Sequence, residues 1–111
     1  MQMHVAGSNG IVLSPEGLLN AGTGLKLESQ LLSLMRNHSN PSLFLSFERV
    51  ESIDSAGLMT LVATIQLSKR YGFELTFCAV PPQLQIVLEM SCIDQAVNTI
   101  QHAPMMLPVA A

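Results

Sequence analysis

The stretch ESIDSAGLMTLVATIQLSKRYG, residues 51–72, contains signals for both the start and the end of one helix. Asp54 and Ser55 precede an apolar pattern, and such side chains accept hydrogen bonds from the free amides of a first helical turn. Gly72 is the residue type that often closes a helix, because it adopts the left-handed conformation without strain. We therefore predict a helix over residues 55–71. Its core-facing stripe consists of Leu58, Leu61, Val62 and Ile65.

The segments on either side of this helix alternate between strand and helix patterns. Apolar runs predict strands at residues 10–14, 42–47 and 73–80, with a short strand at 18–19, a turn at 7–10 and a helix break at 37–41. Helical spacing predicts further helices over residues 23–36, from Pro82 onward and over 93–100, with Thr23 as a candidate N-cap. This alternation favours an α/β fold in which helices pack on a mixed sheet.

The composition is that of one globular domain. The chain has 111 residues, of which 49% are hydrophobic and 12% charged, so it is able to bury a core and is not a disordered chain. We assign residues 1–102 to the domain and residues 103–111 to a flexible tail, because the final segment has two prolines and no periodicity. The low charge also indicates that part of the surface is apolar and faces a partner.

Charge and hydropathy exclude two classes of partner. The net charge is −3, and Lys69–Arg70 is the only basic cluster, which argues against binding nucleic acid through its phosphates. No apolar run approaches the roughly 20 residues that span a bilayer, so no membrane insertion is predicted. The first ten residues lack the features of a targeting segment. We therefore expect a cytoplasmic protein in which Cys78 and Cys92 are reduced thiols.

The sequence holds little that resembles a catalytic or metal site. His4, His38 and His102 are far apart and have no paired ligand spacing. No serine sits in a nucleophile elbow, and the glycines of residues 21–26 lack the spacing of a phosphate-binding loop. We predict no catalytic residue, no metal, no cofactor and no enzymatic activity.

Ser55 has two interpretations. In the first, Asp54 or Ser55 simply caps the helix, which is worth about 1 kcal/mol. In the second, Ser55 is exposed at a helix N-terminus, where free amides and the helix dipole favour an anion. A phosphate there would add a charge of about −1.5 to −2 next to Asp54. The fold would survive this change, whereas a partner surface at that point would be altered.

A second apolar stripe runs along the same helix. It is turned away from the core-facing stripe and begins beside Ser55. Four exposed residues at this spacing would form a partner-binding strip, whereas cover by the third helix would make them part of the core; the pattern leaves both open. The stripe consists of Ala56, Met59, Ala63 and Leu67.

Four short motifs along residues 10–100 carry a family resemblance. Residues 53–58, IDSAGL, resemble the signature of STAS domains, most closely that of bacterial anti-sigma factor antagonists. Residues 17–23, GLLNAGT, are similar to the segment before the first helix of that family. Residues 71–75 and 89–93 resemble its glycine-to-strand step and its late methionine-serine element. The chain departs from the family where Asn20 replaces a frequent aspartate, Leu18 a polar residue and Cys92 a glycine.

The resemblance implies a single STAS-like α/β domain with about four strands in a mixed sheet flanked by helices, and it implies no enzymatic activity. In such antagonists the unphosphorylated form binds an anti-sigma factor, often itself a serine kinase, which phosphorylates the serine after the motif aspartate. That residue is Ser55 here, and a serine phosphatase would reverse the modification. The predicted partner-binding residues are Asn20, Thr23, Asp54, Ala56, Gly57, Met59, Ala63 and Leu67.

Two alternatives remain at this point. STAS domains also serve as small subunits of lipid ABC transporters, where phosphorylation is not required. Others act as partner-switching regulators in pathways that contain no sigma factor.

Overall fold

The computed structural model of the chain describes residues 2–6, 10–37 and 42–101. Strands and helices alternate along most of this part of the chain, and a single 3-10 turn, Ile93–Gln95, precedes the last strand. The elements are β1 (Gln2–Ala6), β2 (Gly10–Ser14), β3 (Gly17–Leu19), α1 (Ala21–Asn37), β4 (Ser42–Ser46), β5 (Val50–Ile53), α2 (Ser55–Tyr71), β6 (Glu74–Cys78), α3 (Pro82–Met90) and β7 (Asn98–Ile100).

The strands form two sheets. The main sheet has the order β1-β2-β4-β6-β7, with β1 antiparallel to β2 and every other pair parallel. The short strands β3 and β5 pair in parallel as a separate two-stranded sheet. The predicted α/β class, with a mixed sheet and flanking helices, is confirmed. The main sheet has five described strands, because residues 2–6, to which the sequence analysis assigned no element, add an antiparallel edge.

All three helices cover one face of the main sheet. Alternate strand residues point to this face because side chains along a strand alternate between its two sides, and here they join the buried leucines of the helices in one cluster. Phe47 packs against Phe77 with ring centroids 5.0 Å apart. The strand residues of the cluster are Ile11, Leu13, Leu43, Leu45, Leu75 and Phe77, and the helix residues include Leu27, Leu31, Leu34, Leu61, Ile65, Leu84 and Leu88.

Helix α2 has the predicted bounds. It begins after Asp54 and ends at Gly72, which adopts the left-handed conformation at φ 74 and donates its amide to the Ser68 carbonyl. Of the predicted core-facing stripe, Leu61 and Ile65 are buried, while Leu58 and Val62 are partly buried and pack against the core.

Two local predictions are wrong. Thr23 is not the N-cap of α1, since the helix begins at Ala21 and the Asn20 side chain accepts the Thr23 amide. Residues 93–100 do not form a helix, because the 3-10 turn is followed by β7, which pairs with β6. The eight residues 93–100 fit both a helical and a strand pattern. Pairing with β6 makes residues 98–100 a strand.

The chain turns sharply before this last region. Cys92 has φ 60, in the left-handed range, a conformation that favours the glycine expected there from the family resemblance.

Strand β5 was also not predicted. Residues 7–9 of the predicted turn, residues 38–41 of the predicted break and the tail at 103–111 lie outside the described residues.

Candidate functional site

The start of α2 is held by its own cap and by β3. The Asp54 carboxylate accepts the Gly57 amide at 2.8 Å, which satisfies one of the free donors of the first turn. The Asp54 amide in turn donates to the Leu19 carbonyl at 3.2 Å. One residue therefore fixes both the direction of the helix and its attachment to the neighbouring strand.

Gly57 lets the helix approach that strand closely. It is buried, and a Cβ atom at this position would collide with the Leu19 carbonyl group. Because the obstacle is backbone, no side-chain rotation would relieve it. The glycine of the IDSAGL motif is therefore a packing requirement, and its role in partner binding stays a prediction.

Ser55 is the first residue of α2 and is exposed. Its hydroxyl takes no part in the cap, which the Asp54 carboxylate provides. Among the described residues the Ser55 hydroxyl has no hydrogen-bond partner. The side chain therefore projects at the positive end of the helix dipole, free for solvent or for another protein.

The start of α1 lies at the same end of the molecule. Asn20 accepts the Thr23 amide through Oδ1 at 3.0 Å. The Thr23 hydroxyl donates to the Leu18 carbonyl at 2.8 Å and lies 3.0 Å from the same Asn20 oxygen. Asn20 and Thr23, both predicted as partner-binding residues, are thus engaged in fixing the turn between β3 and α1.

The two helices meet through small residues. Gly24 of α1 faces Thr60 of α2 so closely that a Cβ on the glycine would overlap the threonine side chain. Thr60, Thr64 and Ser68 follow one face of α2, and each hydroxyl donates to a backbone carbonyl one turn earlier, at 3.0, 2.8 and 2.6 Å. This face is therefore polar in composition and fully hydrogen-bonded, which allows it to be buried.

The predicted partner-binding strip is only partly open. Met59 is 69% exposed, while Ala56, Ala63 and Leu67 are half-buried. Helix α2 packs along α1 and on strands β3, β5 and β6 rather than along α3, so the third helix is not its main cover. Met59 is thus the most exposed member of the strip.

Leu18 was not predicted as part of the site. It lies on β3 opposite Ser52 and is 43% exposed. Its apolar side chain stands where the family commonly has a polar residue, and that departure was the one signal in the sequence. We call Leu18, Asn20, Thr23, Asp54, Ser55 and Met59 the helix-start surface, because they sit on β3 and at the first turns of α1 and α2.

The two cysteines differ in environment. Cys78 is fully buried and donates to the Leu45 carbonyl at 3.6 Å. Burial disfavours the thiolate and raises the pKa of Cys78 to about 11, so its reactive form is scarce at neutral pH. Cys92 is free and exposed. Within residues 2–6, 10–37 and 42–101, no group of three His, Cys, Asp or Glu side chains could hold a metal ion.

The arrangement of strands, helices and the IDSAGL turn matches a known family. A family model described as STAS domain matches residues 2–103. The chain belongs to the STAS domain family. The resemblance predicted from the sequence is thereby confirmed. In the described part of this STAS domain, no helix combines the length and the apolar character needed to cross a membrane.

Solved structures of low identity share the fold. A Thermotoga maritima protein proposed to be an anti-sigma factor antagonist has a TM-score of 0.77 at 20% identity, covering 88% of this chain and 83% of that chain. The anti-sigma factor antagonist SpoIIAA, solved in its unphosphorylated form, has a TM-score of 0.69 at 12% identity, covering 92% and 88%. A sulfate transporter family protein from Wolinella succinogenes has a TM-score of 0.78 at 19% identity, covering 88% and 81%. Comparison with curated protein sequences gives no match.

Proposed function

We propose that this STAS domain is a phosphorylation-switched, protein-binding regulator of the anti-sigma factor antagonist type. It binds an anti-sigma factor with serine kinase activity while Ser55 is unphosphorylated, and a serine phosphatase restores the binding form. The proposal rests on one observation: Ser55 is exposed at the start of α2 while Asp54 supplies the cap. The domain acts by binding and performs no reaction of its own. Its setting is the cytoplasm.

A phosphate on Ser55 would change the surface more than the fold. The Asp54 cap does not use the Ser55 hydroxyl, so modification breaks no hydrogen bond of the helix. The helix N-terminus stabilises an anion by about 0.3–1 kcal/mol, which offsets repulsion from the exposed Asp54 carboxylate. The added charge of about −1.5 to −2 then stands at the edge of the helix-start surface.

Met59 supplies the apolar part of the contact. Its side chain is 69% exposed in the free protein, and burying one such side chain is worth at most about 1.5–3 kcal/mol. A charge introduced beside an apolar contact weakens it, because that charge must be desolvated or left unpaired. Phosphorylation at Ser55 and truncation of Met59 are therefore expected to weaken the same complex.

Affinity capture from extracts of the host cell tests the proposal. The bait is the wild-type chain, with Ser55→Asp and Met59→Ala as variants and Ser33→Asp as the matched control. Ser33 is exposed on α1, nine residues beyond Gly24, or about 13 Å farther along the helix. We expect wild type and the control to retain a serine kinase. Both site variants should lose at least tenfold in affinity, which corresponds to about 1.4 kcal/mol.

The site of modification is tested separately. The captured kinase is incubated with ATP and the wild-type chain, and the phosphopeptides are mapped by mass spectrometry. Phosphate on Ser55 is expected. Phosphate confined to another serine, such as the exposed Ser52 two residues before Asp54, would contradict the assignment of the switch.

The fold shared with the sulfate transporter family protein favours a second candidate, a STAS subunit of a transport assembly. In that case the captured partner would be a transporter subunit, and its retention would be insensitive to Ser55→Asp. If the domain belongs to a partner switch without a sigma factor, Ser55→Asp would still weaken binding, but the captured kinase would have a different target.

A further inference from the structure

Helices α1 and α2 share an outward surface that no described element of the chain covers. They pack along each other where Gly24 meets Thr60, and their other main contacts are with strands. On the side turned away from the sheet, large apolar side chains of both helices are exposed, and contiguous apolar surface of this kind marks a protein contact. We call this surface the α1–α2 face; its side chains are Leu25, Leu32, Met59, Ala63, Leu67 and Tyr71.

Helical periodicity aligns these side chains on one side of the helix pair. Leu25 and Leu32 are seven residues apart, close to two full turns, so they lie on one line along α1. The members from α2 are four residues apart and form a second line. The two lines meet at the far end, where both helices line one open cavity of about 220 Å³. That cavity is formed by Leu32, Met35, Arg36 and Tyr71.

The α2 part of the face is symmetric about Ala63. Met59 lies four residues before it and Leu67 four residues after it. If two copies of α2 cross antiparallel at Ala63, Met59 of each copy lies against Leu67 of the other. A two-fold interface requires such a reciprocal contact, because each copy presents the same residues. The small side chain of Ala63 allows the helices to approach closely at the crossing point.

The two ends of α2 complement each other in the same arrangement. Arg70 lies seven residues after Ala63 and Ser55 eight residues before it, or about 10 and 12 Å along the helix. Arg70 of one copy therefore meets the first turn of the other, with its exposed Asp54 carboxylate. Among the described residues Arg70 forms no ion pair. A parallel arrangement would instead bring the basic helix ends, Arg36 and Arg70, together, and like charges repel.

The size of the face sets the strength of such a contact. Two helices of 17 residues are about 25 Å long and, side by side, about 20 Å wide. Each copy thus offers about 500 Å², and a pair would bury about 1,000 Å², the lower end for a specific interface. A contact of this size gives a weak dimer that depends on protein concentration.

We propose that the chain forms an antiparallel two-fold dimer through the α1–α2 face, in which Arg70 of the second copy lies beside Ser55. The dimer covers Ser55 and Met59, so it competes with any protein that binds the helix-start surface. A phosphate on Ser55 would gain a guanidinium partner in the dimer, so phosphorylation favours the dimer. This regulatory consequence rests on the proposed function, whereas the dimer itself does not.

Sedimentation velocity of the purified chain tests the dimer. Runs cover a wide range of protein concentration, with a reductant that prevents disulfide bonds between exposed Cys92 residues. We expect the average mass to rise from 12.0 kDa toward twice that value. Arg70→Glu should raise the dissociation constant by about tenfold, because it faces the Asp54 carboxylate. Lys69→Glu, the same charge reversal on a side chain that lines a different groove, is the matched control and should leave the constant unchanged.

A charge exchange tests the antiparallel arrangement. Ser55→Arg should weaken the dimer, because it faces Arg70 of the second copy, and adding Arg70→Glu in the same chain should restore it. Within one molecule the two positions are 15 residues apart, or about 22 Å along the helix. Coupling between them in a double-mutant cycle therefore arises between copies. Ser55→Asp, which adds an anion beside Arg70, should strengthen the dimer severalfold.

The outcomes are distinct from those of the proposed function, because no kinase takes part in these runs. A mass of 12.0 kDa at every concentration would overturn the dimer and leave the face to another protein. Equal responses to Arg70→Glu and Lys69→Glu would also overturn it, since a different surface would then form the contact. If Ser55→Arg does not fold, the opposite effects of Ser55→Asp and Arg70→Glu provide the same test, and the absence of both effects would contradict the arrangement.

Discussion

Helices α1 and α2 both start with a side-chain oxygen that accepts the amide of the third helical residue. At α1 the pair is Asn20 and Thr23, at 3.0 Å, and at α2 it is Asp54 and Gly57, at 2.8 Å. The hydroxyl near each cap differs. That of Thr23 donates to the Leu18 carbonyl, whereas that of Ser55 is exposed and lies outside the cap.

The difference shows how an exposed serine coexists with a stable helix start. At α1 the hydroxyl is part of the turn, so a change to it alters the local structure. At α2 the cap and the close approach are carried by Asp54 and Gly57, which leaves Ser55 with no structural duty. Replacing these residues one at a time should give measurable differences in the free energy of unfolding.

The largest effect is expected for Gly57→Ala. The new Cβ would collide with the Leu19 carbonyl group, and overpacking of this kind costs about 1–3 kcal/mol, with a rigid backbone obstacle at the top of that range. Urea unfolding of the variant should show this loss. Gly22→Ala is the matched control, because its Cβ would meet only the Asn20 Oδ1 atom at 3.6 Å. Equal stability of the two variants would mean that α2 is not seated on β3 as described.

A smaller effect is expected for Gly24→Ala. Its obstacle is the side chain of Thr60, so the destabilisation should be reversible by a second substitution. We expect a loss of about 1–2 kcal/mol, and the pair Gly24→Ala with Thr60→Ala should regain most of it. A double-mutant cycle measured by denaturant unfolding gives the coupling directly. No coupling between the two positions would contradict the contact between the helices.

The two caps should be of similar strength. Asn20→Ala and Asp54→Ala each remove the acceptor of one first-turn amide, which costs about 1 kcal/mol. For a domain of this size that corresponds to about 4–8 °C in melting temperature, to be measured by circular dichroism. If either substitution left the melting temperature unchanged, water would satisfy the first-turn amide as well as the side chain does.

The smallest effect is expected for Ser55→Asp. The helix dipole contributes about 0.3–1 kcal/mol in favour of the new charge, and repulsion from Asp54 opposes it. The melting temperature should therefore change by only a few degrees, less than in Asp54→Ala. Thr23→Ala, which removes the hydrogen bond to Leu18, is the comparison and should lose about 1 kcal/mol. Collapse of the fold in Ser55→Asp would show that the serine is structural.

The sequence was most informative where the determinants are local. Helix α2 has the predicted bounds because Asp54 and Gly72 act within one turn of its ends. Strands β1, β5 and β7 were missed because they have three to five residues each and are defined by pairing with strands distant in the sequence. Residues 98–100 show this well: they are a strand because β6 lies beside them.

The same distinction applies to the site. The motif and the helix pattern identified Asp54, Ser55 and Met59 as candidates. The exposure of Ser55 and Met59 and the capping role of Asp54 follow from their positions on or beside one helix. The close packing of Gly57 and the position of Leu18 depend on β3, which the helix pattern does not include. Thr23 was placed at the right turn, but it is not the N-cap, because the side chain of Asn20, the residue directly before the helix, accepts the first-turn amide.

The contact between Gly24 and Thr60 has a mechanical consequence. Because Thr60 rests directly on the backbone of α1, one helix cannot slide along the other without lifting the two apart. Any shift of α2 along its axis would therefore require α1 to move as well.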